Sequence, residues 1–356
     1  MKKTSVIALF GSVLVSGLLF GAPLNKISPE EAIKLIGNKN VVFVSGDDNE
    51  TYEAFHIKGS VEMYAHHLHH SDIVGNMHCA PLYRCPKDAE NYISSKGISN
   101  NQMVIAYDSY KGPNATGVYS FFESFGHKNL KFLDGGMNGI KSVDPMQQKY
   151  DALKKEKKAI KKQIEASKNP ALIAKLEANV KSLESQMAAL EPKMVIQSGA
   201  EPKHIRSNYK IDPKAINKTY IADKNEVKKA VFDIMKNGKK SNYVVIDSRG
   251  MEEIIGEKKM DNVARGGHIP GATFVEWKQI SDEENSKPFK SKAELQKVFD
   301  KAGVKKNQVI YAYCQVGAGR GSHIISALRE LGYENVKVFT GSWDVWGNDM
   351  KLPIRR

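Results

Sequence analysis

Cys314 has the surroundings of a reactive thiol. It ends an apolar run and opens the stretch Cys314-Gln315-Val316-Gly317-Ala318-Gly319-Arg320-Gly321. A thiolate, not a thiol, is the nucleophile, so the neighbours must favour the anion. Gln315 to Gly319 carry little side-chain bulk, which lets consecutive backbone N–H groups turn toward one point. A helix beginning at about Gly321 offers its positive N-terminal end. Arg320 adds a permanent charge and a fork of donors. No general base is evident, and a thiolate already formed needs none. The competing reading is a buried structural cysteine, which the glycine-rich turn disfavours.

The elements that must hold this loop come from a duplication. Residues 96–136 align without a gap on residues 302–342 at an offset of 206. Gly97 meets Gly303, Gln102 meets Gln308, Tyr107 meets Tyr313, Gly126 meets Gly332 and Gly135 meets Gly341. Upstream, FHIKGS answers GHIPGA. A period this long means duplicated domains and excludes a solenoid. Each copy predicts strands at 41–44, 103–107 and 130–133, or at 244–246, 309–313 and 336–339, alternating with helices such as 292–302. That alternation implies an α/β class, with two parallel sheets each covered by helices on both faces. Ligands bind such sheets at the carboxyl ends of strands, where Cys314 and its counterpart Asp108 both sit. The expected divisions are an export segment at 1–22, a first domain at 26–145, a helical hairpin at 146–193, a linker at 194–224 and a second domain at 225–356.

The hairpin rests on Leu176, Val180, Leu183, Met187 and Leu190, which step by four and three, with Leu153, Ile160 and Ile164 opposite and Asn169-Pro170 between. It serves as a brace between domains or, on the sharper reading, as a dimer or partner-docking element. The start of the chain has Lys2 and Lys3, an apolar run from Val6 to Ala22 and no further charge until Lys26, an export-signal pattern, cleaved or kept as an anchor. The expected location is periplasmic or secreted. There Cys79 and Cys85 could pair, leaving Cys314 as the odd thiol; all three being free is the alternative. The net charge of +13 is spread, with many lysines between 154 and 181 and no aromatic interleaving, which argues against nucleic acid. His66, His67, His69, His70 and His78 crowd one stretch with Cys79, but the spacing fits no metal motif and reads as a polar loop. No metal and no cofactor is expected.

At these residues the chain resembles a tandem-domain rhodanese of the thiosulfate or 3-mercaptopyruvate sulfurtransferase family. The second copy carries VVIDSRG, GHIPGATF, VIYAYCQVGAGR, LGYENVKVF and GSWDVWGNDMKLPI in family order, and the first copy carries HIKGS, GISNNQMVIAYD and FGHKNLKFLDGG. The resemblance covers all but the export segment and hairpin. It implies two rhodanese-like domains and a persulfide on Cys314. That sulfur would come from a small anionic donor and go to a thiol or cyanide. The main-chain N–H groups of residues 315–320 would hold the anion. It implies that Arg249 faces the site, a salt bridge inside the domain being an equal alternative for that residue, with Arg265 as a second anion contact, and that the first domain is inactive, because Asp108 cannot carry a persulfide. His268, Pro270 and Gly271 shape a turn. Two departures are visible. Gln315 and Val316 follow the cysteine, which leaves the donor open. Cys314-x5-Arg320 is also the spacing by which cysteine phosphatases hold phosphate, so a phosphatase or arsenate-reductase-like enzyme is the runner-up. A sulfur carrier or scaffold without turnover is the third reading.

Overall fold

The structure, a computed structural model, describes residues 22–68, 85–109, 111–285 and 287–356. The expected export segment up to residue 21 lies outside the described residues, as do His69, His70, His78 and Cys79. Among the described residues no helix is long and apolar enough to cross a membrane.

In the first half, strands β1 (Lys26–Ile27), β2 (Val41–Ser45), β3 (His56–Ile57), β4 (Val61–Glu62), β5 (Met103–Tyr107) and β6 (Leu130–Leu133) alternate with helices. These are α1 (Pro29–Ala32), α2 (Asn49–Ala54), α3 (Ala65–Leu68), α4 (Pro86–Ser95), α5 (Pro113–Ser124) and α6 (Gly136–Val143). All strands but β3 form one sheet in the order β1-β6-β5-β2-β4, every pair parallel. The unbroken apolar runs of β2 and β5 are what a sheet covered on both faces requires. Side chains alternate as the pleat demands: Val42, Val44, Val104 and Ala106 enter one core, while Phe43, Ile105 and Tyr107 enter another.

Two helices follow, α7 (Pro145–Ala166) and α8 (Pro170–Leu190). Lys157 pairs with Glu184 at 3.3 Å and the Tyr150 hydroxyl donates to Glu191 at 3.2 Å, so the helices run antiparallel. Leu176, Leu183, Met187 and Leu190 are buried within the chain. Val180, Leu153, Ile160 and Ile164 are half-buried, so the apolar seam is covered in large part by the facing helix. The next segment is no free linker. Its strand β7 (Ile196–Gln197) pairs antiparallel with β3, Tyr209 meets His127 at 2.8 Å, and Ile211 donates its amide to Glu90 at 2.9 Å. Residues 194–211 thus strap the first domain.

The second sheet begins inside the expected linker, with β8 (Ile221–Ala222), so the boundary set at 225 falls too late. A two-residue edge strand has no periodicity to betray it. After it come α9 (Lys224–Asn237), β9 (Tyr243–Asp247), α10 (Met251–Ile254), β10 (Thr273–Phe274), α11 (Lys292–Lys301), β11 (Val309–Tyr313), α12 (Arg320–Glu330), β12 (Val336–Phe339) and α13 (Ser342–Asn348). The order β10-β9-β11-β12-β8, again all parallel, is that of the first sheet element for element.

One face of each sheet backs onto a single continuous core, which contains residues of both α5 and α12. Helix α12 is buried from Gly321 to Arg329, as a helix between its own sheet and another domain must be. Arg329 holds Glu123 on α5 through two bonds of 2.8 Å and lies 3.9 Å from the ring of Tyr220. His323 is fully buried at the same junction, 3.0 Å from the Ser281 hydroxyl and stacked on Phe289.

Burial pushes His323 down to about 3. The unfolded chain takes up a proton near pH 6.5 that the folded chain refuses, so stability falls as pH drops. The expected slope is about 1.4 kcal/mol per pH unit for each such histidine, from about pH 6.5 down to the folded-state value. Urea midpoints recorded from pH 7 to pH 4 should fall accordingly, and His323→Gln should remove about one proton from that slope. An unchanged slope in the variant would refute the assignment.

Candidate active site

Strand β11 ends at Tyr313 and delivers Cys314 at its carboxyl tip, where the chain turns before α12. Three backbone bonds pin the turn: Trp343 donates to the Cys314 carbonyl at 3.1 Å, Asp344 to that of Gln315 at 3.0 Å, and Gly341 to that of Val316 at 3.1 Å. The Cys314 amide itself donates to the Ser342 hydroxyl at 3.2 Å. Ser342 has φ +44°, the only non-glycine in the left-handed region among the described residues. The first copy has Gly136 there, with φ +54°. A serine accepts that strain because its hydroxyl joins the nucleophile's amide to the Phe339 carbonyl. Ser342 lay inside the GSW motif unremarked; the clue was a serine replacing the second of two glycines.

Cys314 is fully buried and makes no disulfide. Its sulfur accepts from the Gly317 amide at 3.2 Å and lies 3.6 Å from the Ala318 carbonyl. Of the amides at 315–320, Gly317's is the one bonded to the sulfur. Those of Val316, Ala318, Gly319, Arg320 and Gly321 have no acceptor among the described residues. The buried side-chain amide nitrogen of Gln315 also lacks a partner.

The first copy shows what such amides do when filled. Asp108 stands where Cys314 stands, at the same register, and its carboxylate oxygens accept from Gly112 and Ala115, each at 3.1 Å. At the offset of 206 these are the amides of Ala318 and Gly321. Burial first, then the charge of Asp108, pushes nearby Asp47 up to about 7. The cradle in the first domain is thus occupied by the chain's own anion.

The two arginines expected at the site are elsewhere. Arg249, 1 % exposed, forks onto Asp247 with bonds of 3.0 and 2.7 Å, reaches the Gly267 carbonyl and lies over Trp343. It is a buried ion pair within the domain, with Nε and Nη2 committed to Asp247 and the Gly267 carbonyl. Arg265 spends its donors on the carbonyls of Trp346, Gly347, Asp349 and Leu352, and so ties down the C-terminal segment. Arg320 does border the site, and its fork is held by both oxygens of Glu253 on α10, at 2.5 and 3.1 Å. Burial opposes the charge of Arg320, but the bond to Glu253 and the nearby Cys314 outweigh it and raise its pKa. Burial likewise works against the Glu253 carboxylate, and the bond to Arg320 overcomes it. Glu253 had no sequence signal beyond its acidity. Arg320, Glu253, Trp277, Lys258 and Lys278 wall an open groove of about 390 Å³.

The H-I-x-G turns are structural in both copies. Ile57 and Ile269 donate their amides to Tyr107 and Tyr313 at 3.1 and 3.0 Å, and Gly59 and Gly271 both have φ +75°. Among the described residues no cluster of metal-ligating side chains occurs; of the histidine-rich stretch only His66 and His67 are described. Cys85 is disulfide-bonded.

A family model described as "Rhodanese-like domain" matches residues 28–143 and 229–349. A "Putative thiosulfate sulfurtransferase" of Saccharopolyspora erythraea is 26% identical over 338 residues, covering 92% of this chain and 95% of its own. A protein of the same name from Mycobacterium tuberculosis is 28% identical over 331 residues, covering 88% and 91%. Among solved structures, the anaerobic ergothioneine biosynthesis enzyme from Chlorobium limicola superposes with a TM-score of 0.62 at 16% identity, over 93% of this chain and 70% of that one. That likeness establishes the fold alone.

The turn at Gly317 is the tightest part of the loop. With φ +104°, a β-carbon there would lie 2.8 Å from the Phe339 carbonyl oxygen and 3.1 Å from the Thr340 Cα, neither of which can swing away. Gly317→Ala should therefore destabilise by roughly 1–3 kcal/mol. Gly37→Ala, at φ +86° in open space, meets no clash and should cost less. Equal shifts of the urea midpoint would contradict the packing account.

Proposed function

The chain belongs to the rhodanese-like family, as a tandem of two such domains, and from that premise we propose that it is a sulfurtransferase acting through a persulfide on Cys314. One observation carries the reading: the filled cradle of the first domain. A carboxylate oxygen of Asp108 lies three bonds from its Cα, as the outer sulfur of a cysteine persulfide would. The amides that hold Asp108 have counterparts at Ala318 and Gly321 for which no acceptor occurs among the described residues. The second loop therefore suits an anion one atom beyond the cysteine sulfur, which is where a persulfide puts its charge.

The reaction balances without a cofactor. The Cys314 thiolate attacks the outer sulfur of a donor such as thiosulfate, 3-mercaptopyruvate or a polysulfide. The new S–S bond forms as the donor's bond to that sulfur breaks, and the leaving group departs with the electron pair. A thiol or cyanide then attacks the outer sulfur, and Cys314 recovers its thiolate. Preorganised amides at the end of an 11-residue helix stabilise the charge in both steps. The disulfide at Cys85 and the export-signal pattern support a periplasmic or secreted location.

The Cys314-x5-Arg320 spacing also supports an oxyanion hydrolase. Against it, the Arg320 fork already holds Glu253, and an oxyanion would have to displace that carboxylate. Intact-protein mass decides among the readings. Exposure to thiosulfate or 3-mercaptopyruvate should add about 32 Da, one sulfur atom, to the wild type and nothing to Cys314→Ser. Cyanide should remove the added mass over repeated cycles. Absence of the adduct together with aryl-phosphate hydrolysis that is lost in Arg320→Ala would replace this reading with the hydrolase. An adduct that no acceptor removes would make the protein a carrier.

A further inference from the structure

The first domain reaches into the second at the cysteine loop. Gly117 on α5 and Gly319 in the loop face each other: a β-carbon on Gly117 would lie 2.9 Å from the Gly319 amide nitrogen and 2.8 Å from the Ala65 Cβ. This close approach carries α3 to the edge of the site. A side chain on Gly319, where φ is +81°, would begin 3.7 Å from both Cδ2 and Nε2 of His66, so that ring occupies the space beside the loop. The hydroxyl of Tyr64 lies 3.2 Å from His66 Nδ1, and the two rings stack with centroids 5.0 Å apart. A phenol donating to Nδ1 leaves the ring proton on Nε2, the atom at the loop.

We propose that His66, though carried by the inactive domain, is a substrate-contacting residue of the second domain's site, donating an Nε2–H hydrogen bond to the anionic sulfur donor beside the Gly319 amide. The inference rests on the sulfurtransferase reading above. The donor class it suits is a sulfane sulfur carried on a group with an acceptor oxygen or sulfur, because only such an atom can take the Nε2–H bond. The ring acts as a neutral donor. Burial first, then the charges of Arg320 and His67, drive it down to about 4, against the opposing pull of Glu253 and Asp48. A neutral imidazole supplies direction without neutralising the donor, so the leaving group's charge is met by the amides of the loop and the N-terminus of α12. The arrangement also gives the inactive domain a reason to stay attached: the site lacks one wall without it.

The test uses the full chain and single-turnover loading of Cys314 by thiosulfate, read by intact mass, beside alkylation by iodoacetamide, a neutral reagent that needs no anion anchor. His66→Ala should slow loading by about 100-fold, the scale of losing one aimed donor. His66→Gln, whose amide can place an N–H near the same point, should recover most of that loss. Tyr64→Phe should fall between. Alkylation should stay within a few-fold of wild type throughout. Wild-type loading rates in His66→Ala would overturn the inference and leave the persulfide reading intact. Loading and alkylation falling together, with no rescue by His66→Gln, would also overturn it, as the mark of a merely structural contact. A wild type that never gains mass from any donor would remove the sulfurtransferase reading first, and the inference with it.

Discussion

The arrangement on which the rest depends is a set of backbone amides gathered at the tip of a parallel strand with no acceptor of their own. A buried N–H left unpaired costs about 1–3 kcal/mol, so a fold retains several only where something else fills them. The two halves of this chain resolve that cost in opposite ways. In the first, Asp108 turns its carboxylate onto the amides of Gly112 and Ala115. In the second, a cysteine side chain stops one atom short, and the Gly317 amide alone bonds its sulfur. The residue at the strand tip, aspartate in one copy and cysteine in the other, thus decides whether the side chain itself reaches those amides.

Holding the receptive loop open takes support from every neighbouring element. Residues 341–344, at the start of α13, clamp the carbonyls of the loop from behind, and Ser342 adopts a strained backbone to reach the cysteine amide. Arg249, stacked on Trp343 and paired with Asp247, fixes the strand end beneath it. Its burial fits that role: a guanidinium so deep needs a counter-charge beside it, and Asp247 supplies one. Glu253 does the same for Arg320 at the rim, where the pair is only partly enclosed.

The pairing of domains belongs to the same system. The helices that follow the two loops, α5 and α12, are buried in one shared core and joined by Arg329 and Glu123. Because each helix begins at its own loop, packing the helices together brings the two loops near each other. Glycine at 117 and 319 removes the last steric obstacle. The first copy therefore packs against the cysteine loop of the second, and the 194–211 strap adds Tyr209 and Ile211 to the core the two share.

Much of this was legible in the residues. The duplication, the strands, the helix over 292–301 and the position of Cys314 followed from apolar runs and glycine spacing, which are local properties with a fixed period. The hairpin followed from a seam of four- and three-residue steps, although that seam closes on itself instead of on a partner. Where arginines point was not legible. Arg249 and Arg265 look like anion ligands in a linear string, and only the packed structure shows their donors taken by Asp247 and by backbone carbonyls. Edge strand β8 was invisible because two residues carry no period. Glu253, Ser342 and His66 gained their meaning from segments 67, 28 and 253 residues away in the chain. Sequence determined which atoms could react and in what folds they sit, because propensity and periodicity act over a few neighbours. Tertiary structure decided which donors remain free to meet a substrate, because each donor's partner is set by what the whole chain brings beside it.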